Sequence, residues 1–134
     1  MNKTIIAPKQ GDIITIEAEP HSGKEYGGHD ARKNNIRRHM VVISNSAYNE
    51  HTGMIIGMPI TTSSKYKNDE RFKPILIPDR ENGVKGYICL WQCQNYDYVH
   101  RNGKVVNHIS QLLLDDLLDY AKFIIEKDSN SRSE

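Results

Sequence analysis

Only one stretch of this chain is patterned as a long helix, and everything before it is broken into short apolar runs. In the helical stretch Ile109, Leu113, Leu117, Tyr120 and Ile124 recur at spacings of three and four, widened by Leu112 and Ala121. That pattern lays an apolar stripe down one side of a helix. Ser110 stands where an N-cap is needed, and the helix is predicted to end near Glu126 or Lys127, before a flexible polar tail at 128–134.

The preceding runs read as five strands. In "GDIITIEAE", Gly11 to Glu19, Ile14, Ile16 and Ala18 share one face and Ile13, Thr15 and Glu17 the other. "HMVVIS" is a continuous β-branched run that suits a strand buried on both faces. "MIIGMPI" follows, and "NSAYNEHTG" between them has room for one helical turn. "KPILIPD", bracketed by prolines, belongs near a sheet edge. "YICLWQCQ", Tyr87 to Gln94, is the fifth strand. Short strands followed by one helix predict a mainly β fold with α, a small bent sheet or barrel capped by the helix, in a single domain over 1–127. So small a sheet covers neither face alone, which leaves a surface for a partner subunit.

Composition narrows the class. The chain has 134 residues and 37% hydrophobic content, no apolar run approaches a membrane span, and the apolar start is too short for a signal peptide; a cytoplasmic protein is expected. Net charge is +1, so bulk charge does not single out nucleic acid. Cys89 and Cys93 lack a second pair to make a zinc site and read as structural thiols sharing a strand face, and the six histidines show no ligand spacing. No metal or cofactor is expected.

Two segments stand out from this scaffold. Residues 21–37, "HSGKEYGGHDARKNNIR", are a long stretch without apolar periodicity, with Lys24, Arg32, Lys33, Arg37 and Arg38 in or beside it. In "GMPITTSSK" a β-prone run ends in Thr61, Thr62, Ser63, Ser64 and Lys65. On the residues alone, these hydroxyls either satisfy a turn or face a substrate.

Three pieces of the chain resemble the MazF/PemK family of toxin endoribonucleases: "QGDIITIEAEPHSGKEYGGH", "RRHMVVISNSAYNEHTGMIIGMPITTSSK" and, more weakly, "GYICLWQCQNYDY". The resemblance runs from about residue 10 to 125. It implies an SH3-like β-barrel of about five to seven strands with a C-terminal helix, usually dimeric. It also implies metal-independent cleavage of single-stranded RNA, often mRNA, and a cognate antitoxin whose C-terminal segment lies over the RNA groove. Carried over by position, the catalytic arginine is Arg38, the catalytic threonine Thr61 and the loop acid Glu25.

The chain departs from the family pattern in three places. Residues 29–37 separate Gly28 from Arg38, so His29 stands beside Glu25 as a candidate base and Arg37 competes with Arg38. His39 occupies a usual proline position. Trp91-Gln92 replaces Asp-Gln. Trp91 is no carboxylate; it is expected in the core beside Ile88 and Leu90, with base stacking as the other use.

RNA brings its own nucleophile, so the chemistry needs an arginine to hold phosphoryl oxygens, a hydroxyl to donate to them, and a base. For RNA binding, Lys24, Arg32, Lys33, Arg37 and Lys65 supply charge, Thr62 and Ser64 hydroxyls, Tyr26, Tyr66 and Trp91 flat surfaces, and Gln92, Gln94 and Asn95 base-edge readers. A different class is a non-catalytic barrel toxin that binds and blocks a partner, as gyrase poisons do; a weakly active homologue is a third reading.

Overall fold

The computed structural model describes residues 6–17 and 37–129. Lys24, Glu25, Tyr26, His29, Arg32 and Lys33 lie outside the described residues, as does most of the 128–134 tail.

Seven strands form one curled antiparallel sheet, a half-barrel, with the C-terminal helix packed against it. In chain order they are β1 (Asp12–Glu17), β2 (Arg37–Val42), α1 (Ser46–Thr52), β3 (Met54–Thr61), a single 3-10 turn (Ser64–Tyr66), β4 (Phe72–Ile77), β5 (Val84–Cys89), β6 (Gln94–Asp97), β7 (Lys104–His108) and α2 (Gln111–Ile125). The strand order is β4-β5-β3-β2-β1-β7, with β6 also on β3. None of the described helices is long and apolar enough to cross a membrane.

β3 is the hinge of this arrangement. One edge pairs with β2 through Val42↔Gly57, Val41↔Met58 and Met40↔Pro59. The other edge is shared: Met54 to Gly57 pair with β6, and Ile60 and Thr61 pair with β5. Ile56 turns its polar groups toward β2, accepting from Ile43 N at 2.9 Å and donating to Ser44 Oγ at 2.9 Å. By alternation Pro59 aims its nitrogen at the shared edge, where it has no N–H to give. The ladder breaks there and β3 changes partner. Gly57 permits the bend; a Cβ at that position would stand 2.7 Å from Met40 Sδ.

The proline-bracketed strand, β4, ends the strand order as its prolines predict. A predicted single strand over 87–94 is corrected. The chain turns after Cys89 and resumes as β6, so Cys89 is buried on a strand, Cys93 is exposed off it, and the two share no strand face. β6 and β7, "QNYD" and "KVVNH", carry too few apolar residues to announce themselves.

Each sheet face has its own core. On one, Ile13, Val41, Met58, Ile75 and Ile88 pack against Ile109, Leu114 and Leu117. On the other, Ile14, Ile16, Met40, Val42 and Ile55 meet Tyr96 and Tyr98. Ser110 caps α2 by accepting from Leu113 N at 3.2 Å, and Lys73 Nζ reaches Asp116 Oδ2 at 3.4 Å. The helix stripe is rotated from its sequence assignment. Leu114 and Leu117 are buried, with Leu113, Leu118 and Ala121 packed against the core. Leu112 is 76% exposed, and Tyr120 and Ile124 are exposed as well. Two adjacent apolar stripes on one helix cannot both face one sheet, and the sequence pattern mixed them.

α1 is two turns rather than one. Asn45 Oδ1 accepts from Tyr48 N at 2.8 Å, and Gly53 closes the helix at φ 71°. Its buried Asn49 donates to Pro8 O at 2.9 Å and Ser44 O at 3.2 Å, while Ser44 Oγ donates back to Asn49 Oδ1. This network ties the N-terminal segment, the end of β2 and β3 together.

Candidate active site

Strand register brings Arg38 and Thr61 to one face. Arg38 pairs with Ile16 of β1. β2 and β3 pair as far as Met40↔Pro59, and two residues further along each strand Arg38 and Thr61 keep the face of Met40 and Pro59. Thr61 pairs with Tyr87, and Tyr87 with Pro74. Paired residues in an antiparallel sheet share a face. The pair Ile16–Arg38 and the row Thr61–Tyr87–Pro74 therefore lie on one face of the sheet. The contact a Gly57 Cβ would make with Met40 agrees: it places alternate residues of β3, including Thr61, on the face of Met40 and Arg38.

Arg38 and Thr61 are only partly used by the fold. Arg38 Nε is buried and has no hydrogen-bond partner among the described residues. Thr61 Oγ1 accepts from Ser63 N at 3.2 Å, a local turn bond. That bond uses a lone pair and leaves the hydroxyl hydrogen to donate elsewhere. Both readings of the hydroxyl segment, turn former and outward-facing donor, are thus compatible at one residue.

Arg37 leaves β2 on the opposite face. Its Nε donates to Thr15 Oγ1 at 3.1 Å, and its Nη2 donates to Thr15 O at 2.9 Å and to Asn102 O at 2.6 Å. Glu17 Oε2 lies 3.8 Å from Nη1. Burial first, and then the Arg37 charge, lower the pKa of neighbouring His39 below the usual imidazole value.

Among the other expected RNA contacts, Thr62, Ser64 and Lys65 are exposed on the turn after β3. Lys65 Nζ sits 5.0 Å over the Tyr66 ring, and Tyr66 stacks on Phe72 with centroids 4.0 Å apart. Gln92 is buried, with its Oε1 accepting from Gln94 Nε2, and Gln94 Oε1 accepts from Tyr96 OH at 2.9 Å. Asn95 donates to Tyr48 OH at 2.6 Å. Trp91 is not in the core as expected: it is 41% exposed, with the Arg71 guanidinium 5.9 Å from its ring. The turn after Cys89 carries it out of the sheet. Burial pushes the Cys89 thiol up to about 11, so it stays protonated. Among the described residues no three His, Cys, Asp or Glu side chains gather as a metal site.

Tyr87 is the site-face residue that sequence reasoning missed. Period-2 alternation puts it opposite Ile88 on β5, but only the β3–β5 pairing shows that it adjoins Thr61.

The chain is similar to known proteins in sequence and in fold. The chain is 40% identical over 77 residues to the endoribonuclease toxin MazF of Escherichia coli K12, a match covering 58% of this chain. The chain spans 60% of the length of that relative. Its fold matches the crystal structure of MazF from Deinococcus radiodurans with a TM-score of 0.70 at 20% identity, covering 90% of this chain and 98% of that one. It also matches the MazE–MazF structure from the same organism with a TM-score of 0.65 at 19% identity, covering 91% of this chain and 98% of that one. Residues 9–125 match the model of the PemK-like, MazF-like toxins of type II toxin–antitoxin systems, and the chain belongs to that family.

Proposed function

We propose that this protein is the toxin of a type II toxin–antitoxin pair and a metal-independent, sequence-selective endoribonuclease acting on single-stranded RNA, chiefly mRNA in the cytoplasm. The observation that carries the reading is that Arg38, whose buried Nε has no hydrogen-bond partner among the described residues, shares a sheet face with Thr61, whose hydroxyl hydrogen is left to donate. An unsatisfied buried donor costs about 1 to 3 kcal/mol, and a phosphoryl oxygen is the acceptor it lacks. Relatives that carry the name endoribonuclease support the activity class.

The reaction follows from RNA's own chemistry. The 2′-hydroxyl oxygen attacks the adjacent phosphorus and gives its proton to a base. The bond from phosphorus to the 5′-oxygen breaks, and that oxygen takes up a proton. The products are a 2′,3′-cyclic phosphate and a 5′-hydroxyl. Arg38 binds the phosphoryl oxygens as negative charge builds, a role that suits a guanidinium that stays cationic. Thr61 donates its hydroxyl to a second phosphoryl oxygen. Glu25 serves as the base, ahead of His29.

Lys24, Arg32, Lys33, Lys65, Thr62 and Ser64 contribute to holding the strand. Arg37 and Gln92 act mainly as frame, because Thr15 and Asn102 already engage Arg37 Nε and Nη2 and Gln92 is buried. The partners are a cognate antitoxin, as in the solved toxin–antitoxin complexes of relatives, and a second copy of this chain covering the apolar outer stripe of α2.

Incubating the purified protein with long single-stranded RNA in EDTA and mapping the ends tests the activity. Discrete cuts with 5′-hydroxyl ends, lost in Arg38→Ala and Thr61→Val, are expected. Intact RNA from a protein that still arrests growth in cells would replace this reading with a blocking toxin.

A further inference from the structure

Beyond Thr61 the site face continues into a groove lined by Thr62, Ser64, Lys67, Pro74, Leu76, Lys85 and Tyr87, among others. Three observations distinguish it. The lining holds two lysines and no carboxylate, and neither Lys67 nor Lys85 is ion-paired among the described residues. Pro74, Leu76, Lys85 and Tyr87 form a two-by-two tile through the pairs Pro74↔Tyr87 and Leu76↔Lys85, on the face that carries Thr61. Leu76 is 68% exposed and Pro74 is exposed, so the tile has an uncovered apolar side next to its cations.

We infer that this groove is a nucleotide subsite for the RNA strand flanking the cut, with Tyr87 as the base-stacking residue and Lys85 and Lys67 as phosphate contacts. The inference rests on the endoribonuclease reading and extends it to residues that reading does not use. Adjacent strands lie about 4.8 Å apart, so Tyr87 stands one strand from Thr61 and Pro74 one strand further. A base next to the scissile phosphate thus meets an aromatic ring flanked by proline and leucine, while its own phosphate meets ammonium groups. Aromatic platforms beside cations are how proteins hold single strands without base pairing. A peptide adding itself to the sheet is the competing occupant, and the edge disfavours it: β4 is the outer strand, and Pro74 in its middle has no N–H for a continuous ladder.

The test is binding of a mixed-sequence 2′-O-methyl oligoribonucleotide, which lacks the nucleophile and stays intact, followed by fluorescence anisotropy with the full chain. Tyr87→Leu is expected to weaken binding about tenfold, with Tyr87→Phe restoring most of it because the ring is kept. Lys85→Gln, an exposed change that leaves the core alone, is expected to lower both the affinity and its salt dependence. A 4-thiouridine version of the strand should crosslink to the peptide containing Tyr87.

Native-like binding in both Tyr87→Leu and Lys85→Gln overturns the subsite, and the endoribonuclease reading survives if the native protein still cuts RNA. Absence of cutting by the native protein in the end-mapping assay is instead a failure of that reading. An acidic peptide whose binding is lost in Tyr87→Leu, with RNA binding unmoved, also overturns the subsite and assigns the groove to a protein partner.

Discussion

Arg37 and Arg38 are neighbours on β2 and point to opposite faces of the sheet. Arg37 is spent on Thr15 and Asn102, whereas Arg38 keeps a buried Nε with no partner among the described residues. A single-residue offset on a strand thus sends the two guanidinium groups to opposite faces. Arg37→Ala is expected to lower folding stability by about 1 to 3 kcal/mol, since charge-assisted bonds to Thr15 and Asn102 are lost. Arg38→Ala is expected to cut RNA cleavage about 10²- to 10³-fold with no fall in the urea midpoint. The reverse pattern in paired urea and cleavage measurements would exchange the two roles.

In the proposed mechanism Thr61 contributes a hydrogen, not a charge. Thr61→Val keeps the shape of the side chain and removes both the donor and the turn bond to Ser63. Single-turnover cleavage should fall about 10- to 100-fold, on the scale of one lost hydrogen bond to a charged oxygen. Thr61→Ser should recover most of it. Full activity in the valine variant would remove the hydroxyl from the mechanism.

His39 makes stability depend on pH. Burial, reinforced by Arg37, holds its pKa below the usual 6.5. As pH falls below about 6.5 the unfolded chain takes up that proton first, so the folded state loses stability progressively until folded His39 itself titrates. The urea midpoint should be lower at pH 5 than at pH 7.5, and His39→Gln should shrink that difference. An unaltered pH profile in the variant would mean that other groups carry the effect.

The two apolar stripes of α2 should separate by experiment. Leu117 is fully buried in the core, and Leu117→Ala is expected to cost about 2 to 5 kcal/mol. Phe123 is 73% exposed, and Phe123→Ser should leave the circular dichroism of the chain intact while shifting light scattering toward a single 15.4 kDa species. A native protein that already scatters as that species at micromolar concentration would remove the dimer.

Much of the scaffold was legible in the sequence because it depends on local chemistry. Apolar alternation marked β1, a β-branched run marked β2, prolines marked β4 as an edge, and Ser110 capped α2 as its position requires. The strand–hydroxyl segment ending at Thr61 was legible too, since a strand followed by hydroxyls needs no tertiary information. β6 and β7 were not, because short polar strands exist only by pairing with β3 and β1. Trp91 was misplaced for a related reason: the turn after Cys89 that exposes it is held by Leu90 N donating to Arg71 O at 2.9 Å, a contact between distant residues.

By itself, then, the chain's order of residues determined the kinds of element and their caps, because periodicity and capping act over a few neighbours, and its resemblance to a family singled out the candidate arginine and threonine. Only the tertiary structure decided which arginine of the pair faces Thr61, that Tyr87 and Lys85 extend that face, and which stripe of α2 meets the core. Those outcomes depend on strand register and on the rotation of a helix against a sheet. Both are set by packing across the whole molecule, and a shift of one residue reverses them.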